Sequence, residues 1–183
     1  ILNTTRNPKI TLLLIMKKFL LTIYLLTFSF SINAENVIMD KDDFLKQALG
    51  VSEVPFHKYI ILKDDVAAGV KEILKDTYHL PAIKYYKNGN KVGFILEAIG
   101  KHEFITTGYV VENNKISDAK VLVYRENYGG EVAYDFFLNQ IRGNSLKSKD
   151  KLTNRLANIS GATMSVNSMR KLSKLSLFLA SKI

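Results

Sequence analysis

Apolar positions along this chain follow two rhythms, one of helical period and one of strand-like runs broken by turn residues. After Asp40, a residue suited to capping, Phe44, Leu45, Ala48 and Leu49 recur at helical spacing until Gly50. Val54-Pro55 breaks that segment, and Tyr59-Ile60-Ile61-Leu62 forms a short apolar run. Asp64-Asp65 then opens a second helix with Val66, Val70, Ile73 and Leu74 on its buried face and Lys71 and Lys75 on its wet one. The rhythm changes beyond residue 80. Ile83 to Tyr86 and Val92 to Ile99 flank Asn88-Gly89-Asn90, and Glu103 to Val111 and Ile116 to Tyr124 flank Glu112-Asn113-Asn114-Lys115. Val166, Met169, Leu172, Leu175 and Leu179 make a last helical stripe, with Arg170, Lys171 and Lys174 between them. These elements predict a single α+β domain: an antiparallel sheet of about four strands in meander order, with helices before and after it.

The first residues carry a different pattern. Met16-Lys17-Lys18 before the apolar run Phe19 to Phe30, with Ser31-Ile32-Asn33-Ala34 following, reads as a signal peptide over 16–34 cleaved after Ala34. The apolar run is short against the roughly 20 residues a membrane span needs. Residues 1–15 read as an upstream extension, 35–79 as the N-terminal helical part of the domain, and 80–183 as its core. The expected location is outside the cytoplasm, periplasmic or membrane-associated on the extracytoplasmic side.

Net charge is +9, and the four cations of the leader, Arg6, Lys9, Lys17 and Lys18, leave +5 for the rest. The remaining basic residues are spread out, without the block or aromatic interleaving of a nucleic-acid site, so no nucleic-acid partner is expected. The chain has no cysteine, which excludes disulfides, thiolate metal sites and cysteine-ligated iron–sulfur clusters. His57, His79 and His102 follow no metal-ligand spacing, no Ser-His-Asp set can be assembled, and no Rossmann or Walker glycine loop is present.

Two stretches carry candidate chemistry. Ser160-Gly161-Ala162-Thr163-Met164-Ser165 leads into the last helix with two hydroxyls and little bulk, and Ser165 reads as its N-cap. A helix start of this kind suits a phosphate, because its amides are unpaired and carry partial positive charge. The second stretch is Tyr124-Arg125-Glu126-Asn127-Tyr128-Gly129-Gly130-Glu131, a strand end followed by a charged pair and two glycines. Glycines there let a ligand approach the main chain, or simply turn the chain toward a helix starting near Glu131.

The first stretch resembles the covalent flavin-attachment motif of the FMN-binding domain family. That family includes the C subunit of sodium-translocating NADH:quinone reductase, the G subunit of the Rnf complex, and small exported flavoproteins. Its pattern is Asp-x-x-Ser/Thr-Gly-Ala-Thr followed by Ser or Thr; Ser160, Gly161, Ala162, Thr163 and Ser165 match, and Ala157 stands where the pattern has Asp. The second stretch resembles the Arg-Glu-x-x-Gly-Gly-Glu version of the family's flavin-facing strand. Phe137-Leu138-Asn139-Gln140-Ile141-Arg142-Gly143 matches the Phe-x-x-Gln helix end that follows it in small exported members.

The resemblance spans about residues 80–180. It implies FMN joined through its phosphate to Thr163 by a separate flavin transferase that uses FAD, and a redox partner of unknown identity, such as a membrane electron-transfer protein. It implies Arg125 as a positive charge near ring or phosphate, and Glu126 orienting Arg125 or bonding a ring nitrogen. Gly129, Gly130 and Glu131 would lie beside the cofactor, Tyr124, Tyr128 or Phe137 would pack near it, and the amides of Gly161, Ala162 and Thr163 would form a phosphate nest. The expected function is an electron carrier or redox-complex subunit rather than a complete enzyme. Two other readings stay open at this point: noncovalent FMN binding, prompted by Ala157, and a cofactor-free secreted α+β binding module.

Overall fold

A computed structural model of the chain describes Leu12, Met16–Lys18 and residues 36–75, 81–148 and 151–183. The chain divides into the unit Ile1–Asn33 and the unit Ala34–Ile183. Apart from Leu12 and Met16–Lys18, which are helical, the extension and signal peptide read over 1–34 lie outside the described residues, as does His79. Among the described residues no helix is long and apolar enough to cross a membrane.

The second unit begins with strand β1 (Asn36–Val37) and helix α1 (Lys41–Leu49). The Asp40 carboxylate accepts hydrogen bonds from the amides of Asp42 (2.7 Å) and Asp43 (3.3 Å), and Gly50 ends the helix at φ 72°. Strand β2 (Lys58–Ile61) and helix α2 (Asp64–Leu74) follow, and α2 buries Val70, Ile73 and Leu74 as its periodicity predicts. Strands β3 (Ala82–Asn88), β4 (Lys91–Ile99), β5 (Phe104–Glu112) and β6 (Lys115–Tyr124) are the predicted meander. Asn113 and Asn114 both take positive φ (50° and 61°), the geometry whose twist matches a two-residue hairpin. A 3₁₀ turn (Gly130–Ala133), helix α3 (Asp135–Ile141), the small hairpin β7 (Leu146–Ser148) and β8 (Lys151–Leu152), and helix α4 (Thr163–Ala180) complete the unit.

The antiparallel α+β class is as expected, but the main sheet has six strands rather than about four, in the order β1-β6-β5-β4-β3-β2. The two additions are edges. The apolar run at Tyr59–Ile61 pairs with β3, and Asn36–Val37 pairs with the end of β6. One face of the sheet packs against α2, α3 and α4 around Phe94, Ile105, Tyr109, Val121, Met169 and Leu172. The other face packs against α1 through Phe44, Leu45, Leu49, Val110 and Leu122.

One irregularity sets up everything that follows. Thr106 pairs with Val123 but Thr107 pairs with Val121, so Leu122 is an extra residue in β6. Successive side chains on a strand alternate faces, so residues three apart should face opposite ways. The bulge cancels that, and Val121 and Tyr124 both join the α4 side of the core.

Candidate functional site

Because the bulge turns Tyr124 toward α4, its hydroxyl reaches the first turn of that helix. It lies 3.0 Å from the Ser165 hydroxyl and donates to the Tyr128 carbonyl at 2.6 Å. Burial raises the Tyr124 phenol above its ordinary value, and the charges of Glu126 and Glu131 add to that against the opposing Ser165 bond. The phenol is therefore a neutral hydrogen-bonding group across the physiological range. One side chain thus binds the loop after β6 to the start of α4, 41 residues further along the chain.

Gly129 completes the junction. It sits at φ 85°, and a Cβ there would lie 2.7 Å from the Ser165 hydroxyl, 3.0 Å from the Tyr124 hydroxyl and 3.2 Å from the Ala162 methyl. Only glycine lets this loop close on the helix start. Gly130 begins the 3₁₀ turn over the Tyr124 ring, and Glu131 is exposed in that turn. The two sequence stretches therefore meet in space at Ser165, Ala162, Tyr124 and Gly129.

Ser165 is not the N-cap expected of it. The helix starts three residues earlier, at Thr163 with Ala162 in the cap position, and the Ser165 hydroxyl is drawn inward to Tyr124 and buried. No side chain caps α4, and its first turn contains no acidic residue. Ser160, Gly161 and Thr163 lie exposed around this start, and Gly161 turns the chain at φ 81° with open space beside it. The Thr163 hydroxyl accepts from the Asn158 side-chain amide at 3.0 Å.

The loop leading to this turn is held from beneath. Asn144, fully buried, accepts from the Thr153 hydroxyl (3.1 Å) and the Asn154 amide (2.7 Å), and donates to the Gln140 carbonyl (2.7 Å). The Gln140 side chain accepts from the Ala157 amide at 2.8 Å, and Arg170 donates to the Leu156 carbonyl at 3.3 Å. Gln140 was legible within the Phe-x-x-Gln stretch. Asn144 and Asn158 were not, because a single asparagine in a loop carries no periodic or spacing signal.

Arg125 and Glu126 are placed elsewhere. Past the bulge Arg125 falls on the α1 side of the sheet, where its guanidinium donates to the Thr106 hydroxyl (2.8 Å) and the Phe104 carbonyl (3.3 Å). Glu97 lies 3.8 Å away and accepts from the same Thr106 hydroxyl at 2.6 Å. Glu126 lies against the turn between β4 and β5. One of its oxygens accepts from the backbone amides of Lys101, His102 (2.6 Å) and Glu103 (3.0 Å), fastening the turn between β4 and β5. Burial works against its charge, but those amides and the nearby His102 outweigh it and hold the carboxyl below its ordinary value.

One exposed apolar side chain, Met164, borders the helix start. Met164 follows Thr163, and the Ser168 hydroxyl, one turn into α4, donates to the Ile99 carbonyl. Ile99 pairs across the sheet with Phe104, and both are about half exposed. Among the described residues no cluster of three or more His, Asp or Glu could hold a metal ion. No family model, curated protein or solved structure matches this chain.

Proposed function

We propose that this chain is an exported FMN-binding protein that relays electrons, with FMN fastened through its phosphate to Thr163. The observation that carries the reading is the meeting of the two resembling stretches at one helix start. That start has an exposed hydroxyl, no capping side chain and no first-turn acid. The residues present fit a phosphate: an 18-residue helix offers a partial positive charge of about half a unit at its N-terminus.

Thr163 would carry the phosphate as a phosphoester. Its hydroxyl proton would be lost as a flavin transferase moves the FMN group of FAD onto the oxygen and AMP departs. Asn158 orients that oxygen, and the Gln140–Ala157 and Tyr124–Ser165 bonds fix the loop and helix that present it. Met164 offers exposed apolar surface for a planar ring beside the anchor. Bound flavin would supply the electron-accepting chemistry, while the protein holds and orients it. Arg125, on the opposite side of the sheet, would contribute no direct contact to the phosphate.

Co-expression with a flavin transferase tests this. The intact protein should gain the mass of one FMN residue, located on the Thr163 peptide, and stay yellow after denaturation. Thr163→Val should fold with an unchanged melting temperature and carry no covalent flavin. A variant that still bonds flavin would remove Thr163 from the proposal. Colour that is lost on denaturation would favour noncovalent FMN binding, the reading to which Ala157 points. A colourless wild-type protein would leave the binding module.

A further inference from the structure

A cavity of about 390 Å³ opens between the β1 segment, β6 and the 3₁₀ turn that leads into α3. Strand β1 pairs only with Val123 and Tyr124, and the hollow lies where the chain leaves β6 at Ile38. Ile38, Ala133 and the rings of Tyr124 and Tyr134 give it an apolar wall, and Lys120 and Asp135 bring opposite charges to it.

Those two charges do not satisfy one another. Lys120 is half-buried, and among the described residues its ammonium makes no hydrogen bond or ion pair. Asp135 meets Arg142, but both hydrogen bonds, at 3.4 Å, fall on Oδ1 and leave Oδ2 open. Arg142 is spent further on Asp118 (3.0 Å), Asn139 (2.6 Å) and the Ala119 carbonyl (3.2 Å). One hollow therefore holds an unused cation and an unused carboxylate oxygen. Its walls are fixed from outside. The Ile38 amide donates to the Leu122 carbonyl at 2.8 Å, the Tyr124 hydroxyl is bonded to the Tyr128 carbonyl and Ser165, and the Tyr134 ring rests on Phe136 with centroids 6.2 Å apart.

We infer that this hollow binds a free amino acid with an apolar or aromatic side chain. The ligand carboxylate meets Lys120, its ammonium meets the open oxygen of Asp135, and its side chain lies on the wall of Ile38, Ala133 and the two tyrosine rings. A volume near the lower end of small-molecule sites, about 300–1,000 Å³, suits a ligand of that size. A simple anion gains Lys120 but faces Asp135, and a simple cation meets the reverse. A zwitterion satisfies both charges at once, each through a charge-assisted hydrogen bond. The inference does not depend on flavin at Thr163, since no residue of the turn over 160–165 lines this hollow.

The test uses the full chain, titrated with L-phenylalanine and L-leucine and followed by calorimetry and by amide shifts in NMR spectra. Binding should move the amides of Lys120, Ala133 and Asp135. Phenylacetate lacks the ammonium and phenethylamine lacks the carboxylate, so each should bind about tenfold or more weakly than phenylalanine. Lys120→Met keeps the apolar stem and should weaken phenylalanine binding to a similar extent. Lys84→Met, at an exposed position on β3, should change it less than about twofold. Asp135→Asn should weaken phenylalanine but not phenylacetate, which separates loss of the ammonium contact from damage to α3. Thr163→Val should bind as wild type, whether or not flavin is attached there. No binding of either amino acid, phenylacetate held as tightly as phenylalanine, or equal losses in Lys120→Met and Lys84→Met would overturn the inference.

Discussion

Helices α1 and α4 begin in opposite ways. Asp40 turns its carboxylate onto the first amides of α1, and Asp42 and Asp43 add negative charge to the same turn. Helix α4 begins at Ala162 without a capping side chain and without an acid in its first turn. The other two described helices, α2 and α3, also lack a side-chain cap, yet both place aspartate in the first turn. Only α4 among the four leaves its positive end uncompensated. Its position is held by contacts from outside the helix instead: Tyr124 on Ser165, Gly129 against Ala162, and Ser168 on the Ile99 carbonyl. A helix start held by its neighbours, with its own amides left unused, suits an external anion better than one closed by its own carboxylates.

The sharpest way to break this contrast is to remove the outside support. Tyr124→Phe deletes the bond to Ser165 and leaves the Tyr128 carbonyl without its donor, so stability should fall by about 1–3 kcal/mol. Asp40→Ala should cost less, about 1 kcal/mol, because one exposed cap is lost and water can replace it. Chemical denaturation of both variants measures the difference. A loss at Asp40 equal to or larger than that at Tyr124 would mean that α4 does not rely on the β6 loop.

A smaller effect of opposite sign sharpens the same comparison. Met164 is exposed in the first turn of α4, where α1 has aspartates. Met164→Glu should therefore stabilise the fold by about 0.3–1 kcal/mol through the helix dipole. Under the proposed function it should also reduce covalent flavin incorporation, because the new carboxylate competes with the phosphate for the same amides. Greater stability with unchanged incorporation, read by intact mass, would separate the helix start from the attachment site.

The sequence made some of this legible for physical reasons. The β3–β4 and β5–β6 hairpins announce themselves through Asn-Gly and Asn-Asn turns, and α1 through a local cap, a period and a terminal glycine. The edge strands β1 and β2 and the β7–β8 hairpin have two to four residues each, too few for alternation to register. They are strands because a neighbour pairs with them. The candidate site divides in the same way. Thr163 and the glycines were visible as local patterns, whereas the inward turn of Ser165 depends on a bulge at Leu122 and on a tyrosine 41 residues away. Arg125 and Glu126 are adjacent in sequence, yet one serves the β4–β5 strands and the other the turn joining them. No local pattern distinguishes those fates.

Glu126 does for the β4–β5 turn what Asp40 does for α1, taking backbone amides onto a carboxylate, and this sets the smallest of the expected effects. Its folded pKa lies below the ordinary 4.5, since the amide bonds outweigh burial. The stability it contributes is therefore complete above the unfolded value and is lost as pH falls through the lower folded one. Solvent screening at this partly exposed carboxylate keeps the amount on the order of 0.5 kcal/mol. Glu126→Gln should be less stable than wild type at neutral pH, and the gap should close as the solution is acidified below 4.5. Thermal unfolding of the two proteins across that range isolates Glu126, because every other carboxylate titrates alike in both. A gap that persists to about pH 3 would show that the turn needs only an acceptor oxygen and not its charge.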